Sequence, residues 1–228
     1  MINCSVLTPH IKELGKKLNI ENETLLRGLF TVWRSNNPDK LDDEITEADL
    51  KELLKENSQI KGENISSKGS AFARKLTNIG NNLTIEYKGK VFRNAEHAYQ
   101  TWKSGEFDED AYKSTAFKPV GTKKVNTSTN YQTMVEILTA KLQQHPDLVE
   151  GINQRGGLAY LASSTHTVMG DKYWESAGQN KFIEALIDAY DSVITGSIKT
   201  KLVNSDGSIN WEYFEQLLDN YHNSQPDS

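Results

Sequence analysis

Apolar residues recur at intervals of three and four along most of this 228-residue chain, and that spacing restricts it to a largely helical fold. In the first sixty residues, Ile11, Leu14 and Leu18 lie on one side of a helix, and two further stripes of this kind follow. Thr with Pro at residues 8 and 9, and Thr with Asp at residues 46 and 49, are typical of helix starts. We therefore predict three short helices, which begin near Thr8, Asn22 and Thr46.

One short stretch departs from the helical spacing. LTIEY at residues 83–87 alternates between apolar and polar, and KVFR at 90–93 can return as a second strand after a Lys-Gly turn. Asn94 then caps another helix. The apolar run LAYLA at 158–162 is interpreted as a buried strand. Further helices are predicted from Asn130 to Gln144, from Pro146 to Asn153, from Gln179 to Ile194 and, with an amphipathic pattern, from Asp206 onward.

These patterns predict an α+β fold that is predominantly α-helical and carries one small β-hairpin. Residues 56–70 are polar and rich in Ser, Gly, Lys and Glu, which is typical of a linker. The apolar stripe of the second helix, with Leu29 and Trp33, either packs on its own domain or faces a partner. The predicted organisation is an N-terminal helical segment at 1–60, a main domain at 70–195 and a C-terminal extension at 196–228.

Charge and composition exclude several classes of protein. A net charge of −5 argues against holding long nucleic acid by neutralising many phosphates, although six nearby cations could line a site for one or two phosphates. The single cysteine, Cys4, has no partner for a disulfide or a cysteine metal cluster, and we expect neither a metal nor an organic cofactor. Without a membrane-spanning run of roughly 18 apolar residues or a secretory signal, a cytoplasmic location away from membranes is expected. The six cations are Lys68, Arg74, Lys75, Lys88, Lys90 and Arg93.

The helix predicted after Asn94, AEHAYQTWKS, carries the chemistry. Glu96, Gln100 and Lys103 are separated by four and three residues, so a helix places all three on one face. An acid, an amide and an amine in this row would supply a proton carrier, an orienting group and a nucleophile. Charged residues at this spacing are common on exposed helices, so the spacing alone favours an exposed helix with solvated charges. His97 and Tyr99 are expected to flank the row, while Ala95, Ala98 and Trp102 face the body of the protein.

From Leu76 to Asp191 the chain resembles the NADAR superfamily, also called YbiA-like, in four ordered blocks. The central block, NAEHAYQTWK at 94–103, is similar to the family's S-x-E-H-x-x-Q-x-x-K helix. Ile79 departs from the family pattern where an aromatic residue is usual, and Glu175 departs where a glycine is usual. The other blocks are LTN at 76–78, Met134 with TAKLQQHPDL at 139–148, and DKYWESAGQNKFIEALIDAY at 171–190.

Members of this family are implicated in cleaving N-glycosidic bonds, including removal of ADP-ribose from guanine bases and cleavage of ribosylated intermediates of the riboflavin pathway. The resemblance therefore implies a hydrolase of N-glycosyl bonds whose substrate is an ADP-ribose-type nucleotide, free or within DNA or RNA. It assigns the acid or base to Glu96 and the covalent lysine to Lys103. Asn78, Asp171, Trp174 and Asn180 match further positions that are expected to shape the pocket.

In the mechanism that these residues suggest, the base departs with proton donation, Lys103 captures the ribose carbon as a Schiff base, and water releases the sugar. An amine attacks only after losing its proton, so we expect a protonated Glu96 and a nearby cation, Lys172 or His97, to favour the neutral amine. Asp171 would orient a ribose hydroxyl or the attacking water. The predicted catalytic residues are Glu96, Lys103 and Asp171, and the predicted substrate-binding residues are Asn78, His97, Tyr99, Gln100, Trp174 and Asn180.

Two alternatives stay open at this point. One is an N-glycosidase that acts on the riboflavin-pathway intermediates. The other is a module that binds ADP-ribose or another nucleotide without turning it over. Trp174 likewise has two interpretations, because an aromatic residue there either stacks on the base or packs in the core.

Overall fold

The computed structural model describes residues 7–168, 173–175 and 179–202, with side chains as far as residue 196. These residues form ten α-helices and one two-stranded antiparallel sheet, which confirms the predicted α+β, mostly helical class. The strands are β1, Ile85–Tyr87, and β2, Lys90–Phe92. The helices are α1 Pro9–Lys17, α2 Glu23–Asn36, α3 Glu47–Asn57, α4 Ala71–Leu76, α5 Ala95–Trp102, α6 Glu109–Lys113, α7 Asn130–Gln144, α8 Pro146–Asn153, α9 Leu158–Ala162 and α10 Lys181–Leu202.

The three predicted N-terminal helices are confirmed as α1, α2 and α3. The Thr8 hydroxyl accepts a hydrogen bond from the backbone N–H of Ile11, and Thr46 and Asp49 form a reciprocal capping box at the start of α3. The apolar stripes of the three helices meet in one cluster, which removes their surface from water. That cluster contains Leu7, Ile11, Leu14, Leu26, Leu29, Phe30, Trp33, Ile45, Leu50 and Leu53.

The apolar stripe of helix α2 packs against other helices of the same chain. A Cβ atom on Gly28 would lie 2.2 Å from Cβ of Ala162, so only glycine allows α2 to approach α9 this closely. On the same helix, the Arg27 guanidinium pairs with the carboxylates of Glu184 and Asp188 on α10. Since Leu29 and Trp33 are also almost fully buried, the stripe is core surface.

The polar segment predicted as a linker is hydrogen-bonded through Glu63 and Ile65 to α9 and to the residues that follow it. Ile65 is fully buried, and its backbone N–H donates to the carbonyl of Thr165 at 2.7 Å. The Thr165 N–H in turn donates to the Glu63 carbonyl at 3.0 Å, and Tyr160 donates its hydroxyl to the Glu63 carboxylate at 2.6 Å. These bonds fix the segment although its composition is that of a flexible chain.

The predicted β-hairpin is confirmed, and it delivers the chain into α5. Ile85 pairs with Phe92, and both side chains are fully buried. At the turn, Lys88 and Gly89 both have positive φ, which is the conformation of a two-residue hairpin turn. Asn94 then caps α5, as predicted, by accepting from the His97 N–H at 2.9 Å.

Two predictions need correction. The run LAYLA is helix α9 and not a strand, because five apolar residues do not distinguish a buried helix from a buried strand. Helix α10 continues to at least Leu202, beyond the predicted Ile194. The short helices α4 and α6 were not predicted. The amphipathic helix predicted from Asp206 lies outside the described residues.

Contacts between Cα atoms divide the chain into a unit that extends to Tyr190 and a second unit from Asp191 onward. All residues discussed below belong to the first unit. Within the described residues, no helix has the length and apolar character that crossing a membrane requires.

Candidate functional site

Helix α5 presents one buried face and one polar face, as its sequence predicts. Ala95, Ala98 and Thr101 have no exposed surface and pack against the body of the protein. Glu96, Gln100 and Lys103 are half-buried on the other side. The predicted stacking of these three side chains over consecutive turns is therefore present in the structure.

The Gln100 amide connects the acid and the amine. Its Nε2 donates to Oε1 of Glu96 at 2.8 Å, and its Oε1 accepts from Nζ of Lys103 at 2.7 Å. Lys103 is also the C-terminal capping residue of α5, where a cation is favoured by the helix dipole. The three residues thus form a continuous hydrogen-bonded row, which we call the α5 row.

Asn78 extends the α5 row at the Glu96 end. Its Nδ2 donates to Oε2 of Glu96 at 3.1 Å, and its backbone carbonyl accepts from the Glu96 N–H at 3.0 Å. Asn78, which is predicted to help shape the pocket, therefore contacts the α5 row. Both oxygens of the Glu96 carboxyl group accept hydrogen bonds from amide groups, one from Asn78 and one from Gln100.

A loop that sequence reasoning missed lies directly against the α5 row. The backbone N–H of Gly121 donates to Oε1 of Gln100 at 3.0 Å. A Cβ atom on Gly121 would lie 2.3 Å from the Gln100 carbonyl oxygen and 2.8 Å from Cε of Lys103. Only a glycine therefore allows the loop to contact the lysine stem, and this loop restricts how far Lys103 can move.

Asp108 anchors that loop to the start of α6. Its buried carboxylate accepts from the N–H of Ala111 and of Lys123, and from both the N–H and the hydroxyl of Thr122. Burial alone opposes ionisation, but these hydrogen bonds together lower the pKa of Asp108 to about 2. In the sequence, an acid at a helix start was the available indication of this role.

His97 lies in the core, which corrects its predicted role as a substrate-binding residue flanking the row. Its Nδ1 accepts from the N–H of Arg93 at 3.4 Å, and its Nε2 lies 2.9 Å from the carbonyl of Tyr112. The imidazole ring stacks on Tyr112 and meets the ring of Phe92 edge-on. Burial lowers the pKa of His97, so it is a neutral core residue and not the neighbouring cation expected for Lys103.

Tyr99 and Trp174 pack against each other beside the α5 row. Their ring centroids are 5.8 Å apart with the planes at 80°, and both side chains are largely buried. Tyr99 follows Glu96 by three residues and precedes Lys103 by four, so it lies on the same side of the helix. A second edge-to-face contact joins Trp174 to Tyr173 at 4.9 Å. Of the two interpretations of Trp174, its burial supports packing, as an aromatic wall next to the row.

The structure gives Asn180 a structural position apart from the α5 row. Its Oδ1 accepts from the Ile183 N–H at the start of α10, and its Nδ2 donates to the His166 carbonyl at 2.8 Å. The backbone N–H of Asn180 donates to the Thr24 hydroxyl at 2.7 Å. Asn180, which is predicted to bind substrate, thus acts as a helix cap in this structure. The predicted catalytic Asp171 and the neighbouring Lys172 lie outside the described residues.

Three of the six clustered cations have partners within the protein. The Arg93 guanidinium donates to the carbonyls of Ser114 and Ala116. Lys88 lies over the ring of Trp102 and Lys90 over that of Phe107, at 4.6 and 4.8 Å from the ring centroids. These side chains stabilise the hairpin and its surroundings. Among the described residues, no group of three His, Cys, Asp or Glu side chains comes together as a metal site.

Lys141 is a buried amine within the block at 139–148, and the sequence pattern assigned it no role. It lies on α7 with 2% of its surface exposed. Its Nζ donates to the carbonyls of Lys75 and Thr77 at 2.7 and 2.6 Å, immediately before Asn78. Burial lowers the pKa of Lys141 to about 7.

A cavity of about 430 Å³ opens elsewhere, on the surface of α1. Its lining residues are Leu7, Pro9, Lys12, Glu13 and Lys16, and most of them are exposed. None of the predicted site residues lines this cavity.

Comparison of the chain with protein-family models, with curated proteins and with solved structures finds no match. The resemblance to the NADAR superfamily therefore rests on the four sequence blocks.

Proposed function

We propose that this protein is an N-glycosidase that cleaves the bond between base and ribose in an ADP-ribosylated nucleotide or nucleic acid, of which ADP-ribosyl-guanine is an example. The observation that supports this proposal best is the α5 row, in which one amide holds a carboxylate and an amine on consecutive helical turns. The NADAR-like pattern of the same helix supports the choice of substrate.

The reaction begins when the Lys103 ammonium loses a proton to solvent and Glu96 gains one from it, because the Gln100 amide lies between the two groups and they do not contact each other directly. The neutral amine then attacks the anomeric carbon. The bond from that carbon to the base breaks, its electron pair stays on the base nitrogen, and the base leaves with the proton held by Glu96.

Release of the sugar requires the ring to open. The lysine nitrogen loses a proton and forms a double bond to the anomeric carbon, while the ring oxygen leaves that carbon and is protonated. Water then adds to this Schiff base, and breaking the carbon–nitrogen bond returns Lys103 as an ammonium together with free ADP-ribose. Glu96 exchanges one proton at each stage, so the enzyme ends in its starting state.

Incubation with ADP-ribosylated guanosine, followed by chromatography and mass spectrometry, tests the reaction. We expect guanosine and ADP-ribose as products, and borohydride should trap the sugar on Lys103 as a stable secondary amine. Lys103→Ala should abolish both, whereas Lys113→Ala, which removes an exposed lysine paired with Glu109, should change neither.

Two results would contradict the proposal in different ways. Turnover at the wild-type rate in Lys103→Ala would remove the covalent role of the lysine. Tight binding of ADP-ribose, with no product formed from ADP-ribosylated guanosine or from a riboflavin-pathway substrate, would identify a nucleotide-binding module instead.

A further inference from the structure

Lys141 is held in a position that ordinary surface lysines do not occupy. Its ammonium is enclosed by the last turn of α4, where it donates to two carbonyl groups within 2.7 Å. Removing a charge from water is costly, so a lysine remains buried only where its donors are satisfied. A cation at these carbonyls also complements the C-terminal end of the helix dipole.

The carbonyl of Thr77 belongs to the peptide unit that joins Thr77 to Asn78. Lys141 therefore holds Thr77, the residue directly before Asn78, and Asn78 is the residue that contacts Glu96. Asn78 contacts Glu96 twice, through its side-chain amide and through its backbone carbonyl. One chain of hydrogen bonds thus runs from α7, through Lys141 and Asn78, to the carboxylate of the α5 row.

Gly80 shows that this arrangement is spatially demanding. A Cβ atom on Gly80 would lie 2.5 Å from Nζ of Lys141 and 2.7 Å from the Lys75 carbonyl. Gly80 has φ of 40°, and Asn81 and Asn82 after it also have positive φ. The loop after α4 therefore adopts a conformation that is unfavourable for most residues. The hydrogen bonds of Lys141 to the carbonyls of Lys75 and Thr77 hold the start of this loop.

We propose that Lys141 is a positioning residue for the candidate active site: it holds the Thr77–Asn78 peptide so that Asn78 orients the Glu96 carboxylate. The expected effect on turnover rests on the function proposed above. The positioning of Asn78 and Glu96 by Lys141 does not depend on that function.

The kinetic test is a double-mutant cycle with ADP-ribosylated guanosine as the substrate. Lys141→Met keeps the side-chain length and removes the donors. A small displacement of a catalytic group lowers turnover strongly, so we expect kcat to fall about 10- to 100-fold with KM little changed. Asn78→Ala should lower kcat similarly, and the double variant should lose no more than the larger single loss, because both changes disturb the same contact.

The control for stability is Leu142→Ala, which removes a buried side chain next to Lys141 on α7. At a temperature where all variants stay folded, it should keep wild-type kcat. If Lys141 only caps α4, Lys141→Met will keep wild-type kcat as well, or its loss will multiply with that of Asn78→Ala. Either result overturns the proposal.

Nuclear magnetic resonance provides a second measurement that does not need activity. Lys141→Met should shift the side-chain amide signals of Asn78 and the carboxyl carbon signal of Glu96, and Leu142→Ala should shift neither. Unchanged signals in Lys141→Met would refute the positioning role. If the wild-type protein does not cleave the substrate, the proposed enzyme fails, and these signals still decide the geometric inference.

Gly80→Ala replaces Lys141→Met if the latter does not fold. This variant retains the Lys141 amine, but the added methyl group on residue 80 would push the amine away from the loop. The same loss of kcat and the same shifts at Asn78 and Glu96 are expected. Wild-type kcat and signals in Gly80→Ala would count against the proposal.

Discussion

At the scale of single residues, Gln100 has the most connected side chain of the α5 row. It contacts Glu96, Lys103 and the loop at Gly121 simultaneously. An apolar side chain of similar length at this position would leave the carboxylate and the amine without their common partner. Because a misplaced catalytic group reacts slowly, the effect should appear in turnover more than in stability.

We therefore expect Gln100→Met to lower kcat for ADP-ribosylated guanosine about 10- to 100-fold. Gln154 offers a matched control, since it donates to Glu150 with the same spacing of four residues on the exposed surface of α8. Gln154→Met should keep wild-type kcat and a similar melting temperature. Equal turnover in wild type and Gln100→Met would show that the bridging amide has no part in catalysis.

The sequence predicted the α5 row because three polar residues at helical spacing must share a face. It misplaced His97 because a residue next to Glu96 in the chain lies about 100° around the helix, which turns it into the core. Asn180 shows a different limit of sequence patterns. The same amide side chain serves equally well as a helix cap and as a substrate ligand, and only the neighbouring N–H of Ile183 distinguishes the two roles.

At the scale of elements, the loop that carries Gly121 depends on one carboxylate. Asp108 holds this loop against α6 through the backbone of Thr122 and Lys123. Its folded-state pKa of about 2 lies below the ordinary value of 3.8, so the contribution of Asp108 to stability is complete above pH 3.8. That contribution is lost as the pH falls through 2.

This difference in pKa corresponds to about 2 kcal/mol of unfolding free energy. We expect Asp108→Asn to lower stability by about that amount at neutral pH and to flatten its decline between pH 4 and 2. Denaturant unfolding at several pH values measures both. Asp110→Asn, on the exposed side of α6, should behave as wild type, and a wild-type acid dependence in Asp108→Asn would contradict this role.

Long elements with many periodic positions were predictable, and short ones were not. Helix α7 has the predicted bounds because its apolar residues repeat over 15 residues. Helices α6 and α9 have five residues each, too few for a period to be recognised. The loop contact at Gly121 was also beyond prediction, because it joins residues 21 positions apart through a backbone N–H.

At the scale of the whole molecule, a buried ionic network attaches α2 to α10. Arg27 pairs with Glu184 and Asp188, and the Tyr131 hydroxyl from α7 donates to Asp188 at 2.7 Å. The side chains of Arg27 and Glu184 are 5% and 3% exposed, so the surrounding water screens them little. Removing the cation would leave two carboxylates in the interior.

Breaking a buried ion pair from one side is strongly destabilising, so Arg27→Met should lower the free energy of unfolding by about 3–5 kcal/mol. The same helix provides the comparison. Arg34 pairs with Asp42 where both side chains are partly exposed, and Arg34→Met should cost about 1 kcal/mol or less. Urea unfolding measures both variants, and equal losses would show that the network does not hold α2 to α10.

The backbone N–H of Gly121 helps to set the direction of the hydrogen bonds along the α5 row. A main-chain N–H can donate but never accept, so together with Lys103 it determines which end of the Gln100 amide faces the loop and which end faces Glu96. The direction of the row is thereby encoded partly in the backbone. Exposed neighbours such as Phe117 and Val120 are free to vary without inverting it, whereas a proline at residue 121 would remove the backbone donor.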